Sequence, residues 1–155
     1  MEKAGFIGLG IMGAPMAAHL RAAGFALFVH TRSAAPAALI AAGAVNCGSA
    51  KEVAQQADII ITMLPDTADV EKVLFGQEGV AAGLSKGKLV VDMSSIAPVE
   101  TKAFAQRINA LGCQYVDAPV SGGEVGAKGA PAPHRRLPWR RTPSPRRPLR
   151  WSARR

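Results

Sequence analysis

The sequence predicts an α/β protein built on a doubly wound parallel sheet, and three observations carry that prediction. Short apolar segments alternate with helix-compatible ones over residues 1–129. The segment ADIIITM, Ala57–Met63, is almost wholly apolar after Asp58 rather than alternating, as a strand covered on both faces requires. The first apolar segment runs straight into a glycine-rich turn, GFIGLGIMG at Gly5–Gly13, from which a helix-compatible stretch departs.

Gly5–Leu9 reads as a short buried strand. Gly8, Gly10 and Gly13 then form a G-x-G-x-x-G run. Gly8 suits a tight turn, Gly10 has no Cβ to keep a pyrophosphate from the backbone, and Gly13 lets the helix sit close to the strand. Free N–H groups at the helix start favour a phosphate there. A glycine turn with a purely structural role is the alternative. The first helix, about Met12–Ala23, places Met16, Leu20 and Ala23 on one side, His19 on its surface, and Gly24 at its stop.

Phe25–His30 is the second strand. An Ala-rich helix follows over Ala34–Ala42, with Pro36 in its first turn and Gly43 at its end. Val45–Cys47 is at most a very short third strand, and Ser49 can cap a helix running to Gln56. Pro65 stops the strand Ala57–Met63. Asp66 can cap the next helix, Ala68–Phe75, with Asp69 at its favourable N-terminal end. Gly76–Gly87 holds four glycines and reads as loop. Leu89–Asp92 is a fifth strand. Pro98 opens a helix to about Leu111 with Val99, Ala103, Ile108 and Leu111 as its apolar positions, and Gln114–Ala118 is the sixth strand.

The formal net charge of +8 is unevenly distributed. Residues 130–155 hold nine Arg and no acid, which leaves residues 1–129 with a net charge of −1. The basic character belongs to the tail, so a nucleic-acid-binding domain is not implied. The tail also carries both Trp residues, and six Pro break any helix or central strand in it. It reads either as a flexible basic extension or as translation in the wrong reading frame of a GC-rich gene. Two cysteines give no disulfide framework and suit a reducing cytoplasm. No apolar run approaches the roughly 18 residues that span a membrane.

In a doubly wound sheet, ligands lie beyond the carboxyl ends of the strands. An Asp or Glu about 20 residues past the fingerprint ordinarily takes the ribose hydroxyls of NAD. Here the positions are His30, Thr31, Arg32 and Ser33. Arg32 and Ser33 could instead hold a 2′-phosphate, which favours NADP and leaves NAD possible. Arg32 as a plain surface charge is the alternative. Asp92-Met93-Ser94-Ser95 ends a strand with an acid and two hydroxyls, suited either to a nicotinamide or to capping a turn. Ser121-Gly122-Gly123 offers a hydroxyl and backbone N–H groups, either for a substrate carboxylate or as a plain turn. His19, His30 and His134 form no ligand-spaced set with Cys47 and Cys113, so no metal is expected. Neither a G-x-S-x-G elbow nor a phosphate-loop GK[ST] is present. No histidine is paired as a base.

Four stretches in order, GFIGLGIMGAPMAAHL (Gly5–Leu20), ITMLP (Ile61–Pro65), VDMSSIAP (Val91–Pro98) and DAPVSGG (Asp117–Gly123), resemble the signatures of the β-hydroxyacid dehydrogenase family. The resemblance covers about residues 4–129 and implies a Rossmann-type cofactor domain. It implies NAD(P)-dependent interconversion of a small 2-hydroxy-3-oxo acid and the corresponding hydroxy acid. Gly10, Ile11 and Met12 would lie under the pyrophosphate. Thr31, Arg32 and Ser33 would surround the adenosine ribose, Met63 and Leu64 would touch the cofactor, and Ser95 would lie near the nicotinamide. Ser121, Gly122 and Gly123 would take the substrate carboxylate. Members of the family run to nearly twice this length, with a catalytic Lys and an all-helical domain after the cofactor domain. The resemblance stops near Lys128-Gly129. The expectation is therefore a cofactor domain at 1–129 without that helical domain, an out-of-frame tail at 130–155, no catalytic Lys in this chain, and little turnover. Oligomerisation through the helical domain would be lost too. The alternatives are a non-catalytic dinucleotide-binding fragment and a protein that meets nucleic acid through its tail.

Overall fold

The structure, a computed structural model, describes residues 1–129. The expectations for the tail lie outside the described residues. Six strands form one wholly parallel sheet: β1 (Lys3–Ile7), β2 (Ala26–His30), β3 (Val45–Asn46), β4 (Ile59–Thr62), β5 (Leu89–Asp92) and β6 (Gln114–Asp117). Their spatial order is β3-β2-β1-β4-β5-β6. Seven helices connect and flank them: α1 (Gly13–Ala22), α2 (Ala37–Ala41), α3 (Ala50–Gln56), α4 (Thr67–Phe75), α5 (Val80–Gly83), α6 (Pro98–Ala110) and α7 (Gly123–Gly129). Among the described residues no helix is long and apolar enough to cross a membrane.

The apolar strands bury both faces. On one side Ile7, Ile60 and Val90 pack with Val53, Val70, Leu74, Phe104 and Ile108 from the helices. On the other, Phe6, Leu27, Val29 and Ile61 pack with Ala17 of α1 and Leu39 of α2. A fully buried Ile or Leu contributes about 1.5–3 kcal/mol, so these two layers hold the sheet and leave its carboxyl edge to the loops.

Local chemistry sets the helix starts as the sequence predicts. The Ser49 and Asp66 side chains accept from the backbone N–H groups of Glu52 and Asp69. The Lys88 ammonium reaches the last-turn carbonyls of α3 at Ala54 and Gln55. Burial among these groups lowers the Lys88 pKa, against the opposing pull of Asp58.

Several expectations are corrected. β1 begins and ends two residues earlier than Gly5–Leu9, because Gly8 leaves the strand with φ 97°. Pro36 is the N-cap of α2 rather than part of its first turn, with extended ψ of 125°. The glycine-rich loop contains α5, whose Gly83 lies so close to the Lys51 carbonyl that a Cβ would not fit. On α6 the buried face is Thr101, Phe104 and Ile108, whereas Val99, Ala103 and Leu111 are exposed. Thr101 can turn inward because its hydroxyl donates to the Ala97 carbonyl at 3.1 Å. Phe104 meets Phe75 with ring centroids 5.6 Å apart.

A polar cluster ties the carboxyl ends of β4, β5 and β6 together. Thr62, Asp92 and Asp117 stand in register. The buried Asp92 carboxylate accepts from the Thr62 hydroxyl at 2.9 Å, the Ser94 N–H at 3.0 Å and the Tyr115 hydroxyl at 3.0 Å. Burial, then the Asp92 charge, raises the pKa of the Tyr115 phenol. Burial, and after it Asp92, also raises that of Asp117. Elsewhere in the core, burial and then Glu52 push the Cys47 thiol from 9.0 up to about 11.

Because the folded state holds the Cys47 and Tyr115 protons more tightly than the unfolded chain, unfolding releases protons at high pH. Stability is expected to be full below about pH 9 and to decline as pH rises through the range of the raised Cys47 value, about 11. Tyr115→Phe removes a donor to a charged acceptor and is expected to cost about 1.5–3 kcal/mol at pH 7. It also removes the phenol's share of the alkaline decline. Urea denaturation at neutral and alkaline pH measures both, and the gap between wild type and variant should narrow at the higher pH.

Candidate functional site

The chain leaves the adjoining carboxyl ends of β1 and β4 toward opposite sides of the sheet, β1 toward β2 and β4 toward β5. That divergence opens a crevice above the two strands, where ligands of such sheets bind. The segment Gly8–Gly13 leaves β1 at this point and runs into α1.

The three glycines of the turn do different things. A Cβ on Gly8 would collide with the Met63 carbonyl oxygen, and the Gly8 N–H donates to the His30 carbonyl at 3.1 Å. A Cβ on Gly13 would collide with the Gly8 carbonyl oxygen and come within 3.1 Å of the Phe6 ring. These two glycines are demanded by the chain itself. Gly10 is not, because no heavy atom lies within 4 Å of where its Cβ would stand. The space beside it opens onto the N-terminus of α1. Met12, the N-cap, makes no side-chain capping bond, and the first turn holds no acid. By contrast α3 and α4 have both a side-chain cap and an acid in the first turn. The positive end of α1 thus faces open space beside a residue with no side chain, which fits an anionic group such as a pyrophosphate.

The other sequence-predicted residues surround this crevice in part. Met63 and Leu64 leave β4 beside Gly8, half-buried. The Leu64 N–H donates to the Ser94 hydroxyl at 2.9 Å, so Ser94 locks the β4 and β5 loops together, while Ser95 is exposed. Thr31 is half-buried and Arg32 and Ser33 are exposed beyond β2. The Arg32 side chain is 81% exposed, and its guanidinium lies 3.4 Å from the Asp69 carboxylate on α4. His30 donates through Nδ1 to the Cys47 carbonyl at 3.0 Å, which fixes the ring's orientation at the end of β2.

Ser121, Gly122 and Gly123 are exposed, with φ of 108° and 57° at the two glycines. They lead into α7, which the sequence reading missed. β6 is the sheet edge, yet α7 packs on α1, so the intervening segment turns back toward β1. His19, expected on the surface, is instead half-buried and its Nε2 lies 3.0 Å from the Ala127 carbonyl, fastening α7 in place. The roles of Thr62 and Tyr115 around Asp92 were also missed, and Asp69, expected only as an acid at the start of α4, pairs with Arg32. A strand-end polar residue in each of three adjacent apolar strands is a usable signal, but only once the register is known.

The fold order and the open second glycine at the switch point define a dinucleotide-binding domain. The chain belongs to the family described as the NAD binding domain of 6-phosphogluconate dehydrogenase, whose model matches residues 3–132. Its relatives are β-hydroxyacid dehydrogenases. The 2-hydroxy-3-oxopropionate reductase of Escherichia coli K12 is 54% identical over 126 residues, which are 81% of this chain and 43% of that protein. A solved 3-hydroxyisobutyrate dehydrogenase from Salmonella typhimurium superposes with a TM-score of 0.77 at 34% identity, covering 83% of this chain and 45% of that one. Psf3 in complex with NADP+ and 2-OPP superposes with a TM-score of 0.75 at 32% identity, covering 81% of this chain and 45% of that one. The chain thus spans less than half the length of these relatives.

The glycine geometry separates structural from ligand-directed roles. Gly13→Ala is expected to destabilise the fold by about 1–3 kcal/mol through overpacking. Gly10→Ala should leave stability within about 0.5 kcal/mol and weaken dinucleotide binding by about tenfold or more. Urea denaturation and titration with NADPH, followed by nicotinamide fluorescence, check the pair.

Proposed function

We propose that residues 1–129 hold the cofactor, NADP(H) in preference to NAD(H), for the reversible reduction of tartronate semialdehyde to glycerate. The observation that carries the reading is the space beside Gly10 at the uncapped start of α1. The reduced nicotinamide supplies a hydride to the carbonyl carbon of the substrate. In this reading Gly10, Ile11 and Met12 present the α1 N-terminus to the pyrophosphate. Met63 and Leu64 form the wall on the β4 side, and Ser95 hydrogen-bonds near the nicotinamide. Ser121 and the N–H groups of Gly122 and Gly123 receive the substrate carboxylate. The name of the Escherichia coli relative supports the substrate class.

The preference for NADP rests on the end of β2. No carboxylate stands at His30, Thr31, Arg32 or Ser33 to accept from both ribose hydroxyls. Arg32 offers a planar, permanently charged donor set for a 2′-phosphate, and Thr31 and Ser33 add hydroxyls. Both cysteines are free and buried, which supports a reducing cytoplasmic setting.

The reading assigns the proton donor to a group outside residues 1–129. His30 stands at the end of β2, where this reading places the adenosine ribose and not the nicotinamide, and Tyr115 is committed to Asp92. The polypeptide of 155 residues is therefore expected to bind cofactor but to turn over roughly 10²–10⁴-fold more slowly than the Escherichia coli relative. Steady-state reduction of tartronate semialdehyde by the two proteins, side by side, checks this. Rates within about tenfold would place the donor within these 155 residues and overturn the expectation of slow turnover.

The cofactor assignment has its own test. Arg32→Ala is expected to weaken NADPH binding by about tenfold or more and NADH binding far less. Fluorescence titration of both cofactors against both proteins measures it, and equal losses would remove the NADP preference from this reading.

A further inference from the structure

Arg32 and Asp69 come from opposite neighbours of β1. Arg32 follows β2, Asp69 lies in the first turn of α4 after β4, and β1 stands between those strands. Their 3.4 Å ion pair therefore reaches across the carboxyl end of β1, beside the turn that follows it. The two ends of the pair differ. The Arg32 side chain is 81% exposed and the Asp69 side chain 23% exposed. Asp69 is also not the cap of α4, a role taken by Asp66, whose carboxylate accepts from the Asp69 N–H at 2.8 Å. The Asp69 carboxylate is paired instead with Arg32.

We propose that Asp69 is a specificity-determining residue that holds Arg32 and moderates its preference for NADP over NAD. The proposal rests on the reading that Arg32 meets the 2′-phosphate. A 2′-phosphate brings up to two negative charges to a guanidinium already paired with a carboxylate. Binding must then displace Asp69 from Arg32 or place the phosphate beside a like charge. NAD brings a neutral hydroxyl to the same place and meets no such repulsion. The Asp69 carboxylate can accept from that hydroxyl, the role an acid at the end of the second strand ordinarily fills. One carboxylate thus lowers affinity for one cofactor and supports the other. An exposed ion pair is weak, so a phosphate dianion can still win the guanidinium.

The test is fluorescence titration with NADPH and NADH of wild type, Asp69→Asn, Arg32→Ala and the double variant, at low and high salt. Asp69→Asn is expected to raise the NADPH-to-NADH affinity ratio by about three- to tenfold. The gain should shrink at high salt, where exposed charges are screened, and in the Arg32→Ala background, where no guanidinium remains to be released. A merely structural role would shift both affinities together and leave the ratio and its salt dependence unmoved. If Arg32→Ala lowers NADPH affinity selectively while Asp69→Asn leaves the ratio unchanged, the proposal is overturned and the cofactor reading stands. If Arg32→Ala weakens both cofactors equally, the cofactor reading fails and takes the proposal with it.

Discussion

The close approach of three backbone segments at Gly8 and Gly13 is the constraint on which the architecture depends. The carbonyl of Met63 lies where a Gly8 side chain would be, and the carbonyl of Gly8 lies where a Gly13 side chain would be. β1, the start of α1 and the exit from β4 can converge only because both positions lack a Cβ. Any side chain there would lift α1 off the sheet or push β4 away from β1. Either displacement would distort the strand ends around the dinucleotide turn.

A second constraint keeps the crevice rigid. Asp92 is fully buried, and burying an unpaired carboxylate is costly. Three donors from three segments satisfy it, and among the described residues no buried side-chain nitrogen or oxygen lacks a partner. The ordering continues outward through Ser94, which takes the Leu64 N–H and so couples the β5 loop to the β4 loop. The polar groups nearest the crevice are thus divided. Asp92, Ser94, Thr62 and Tyr115 hold the strand ends together, while Arg32, Ser33, Ser95 and Ser121 remain exposed.

The segment after β6 shows tertiary packing overriding local preference. Gly123, Gly126 and Gly129 make α7 a poor helix by propensity. It forms where Ala127 is buried, its carbonyl receives His19 from α1, and Lys128 pairs with Glu124 one turn back. This docking carries the chain from the sheet edge back toward α1, on the side of the dinucleotide turn.

The sequence by itself determined the class of fold, the six strands and the glycine turn, because each rests on local chemistry. Apolar runs make buried strands, Ser49 and Asp66 mark helix starts through their own side chains, and the spacing of Gly8, Gly10 and Gly13 is visible in one line of text. Only the tertiary structure decided what joins across elements. It turned Thr101 rather than Val99 inward and joined Asp92 to Tyr115 across a strand interface. It set His19 against Ala127, 108 residues away, and brought Arg32 to Asp69 over the end of β1. Those pairings depend on strand order and register, and neither is encoded in the residues flanking the contacts. The same reason separates the glycines. Their spacing marks all three alike, but only the neighbouring backbone reveals that Gly8 and Gly13 are filled from within and Gly10 is open.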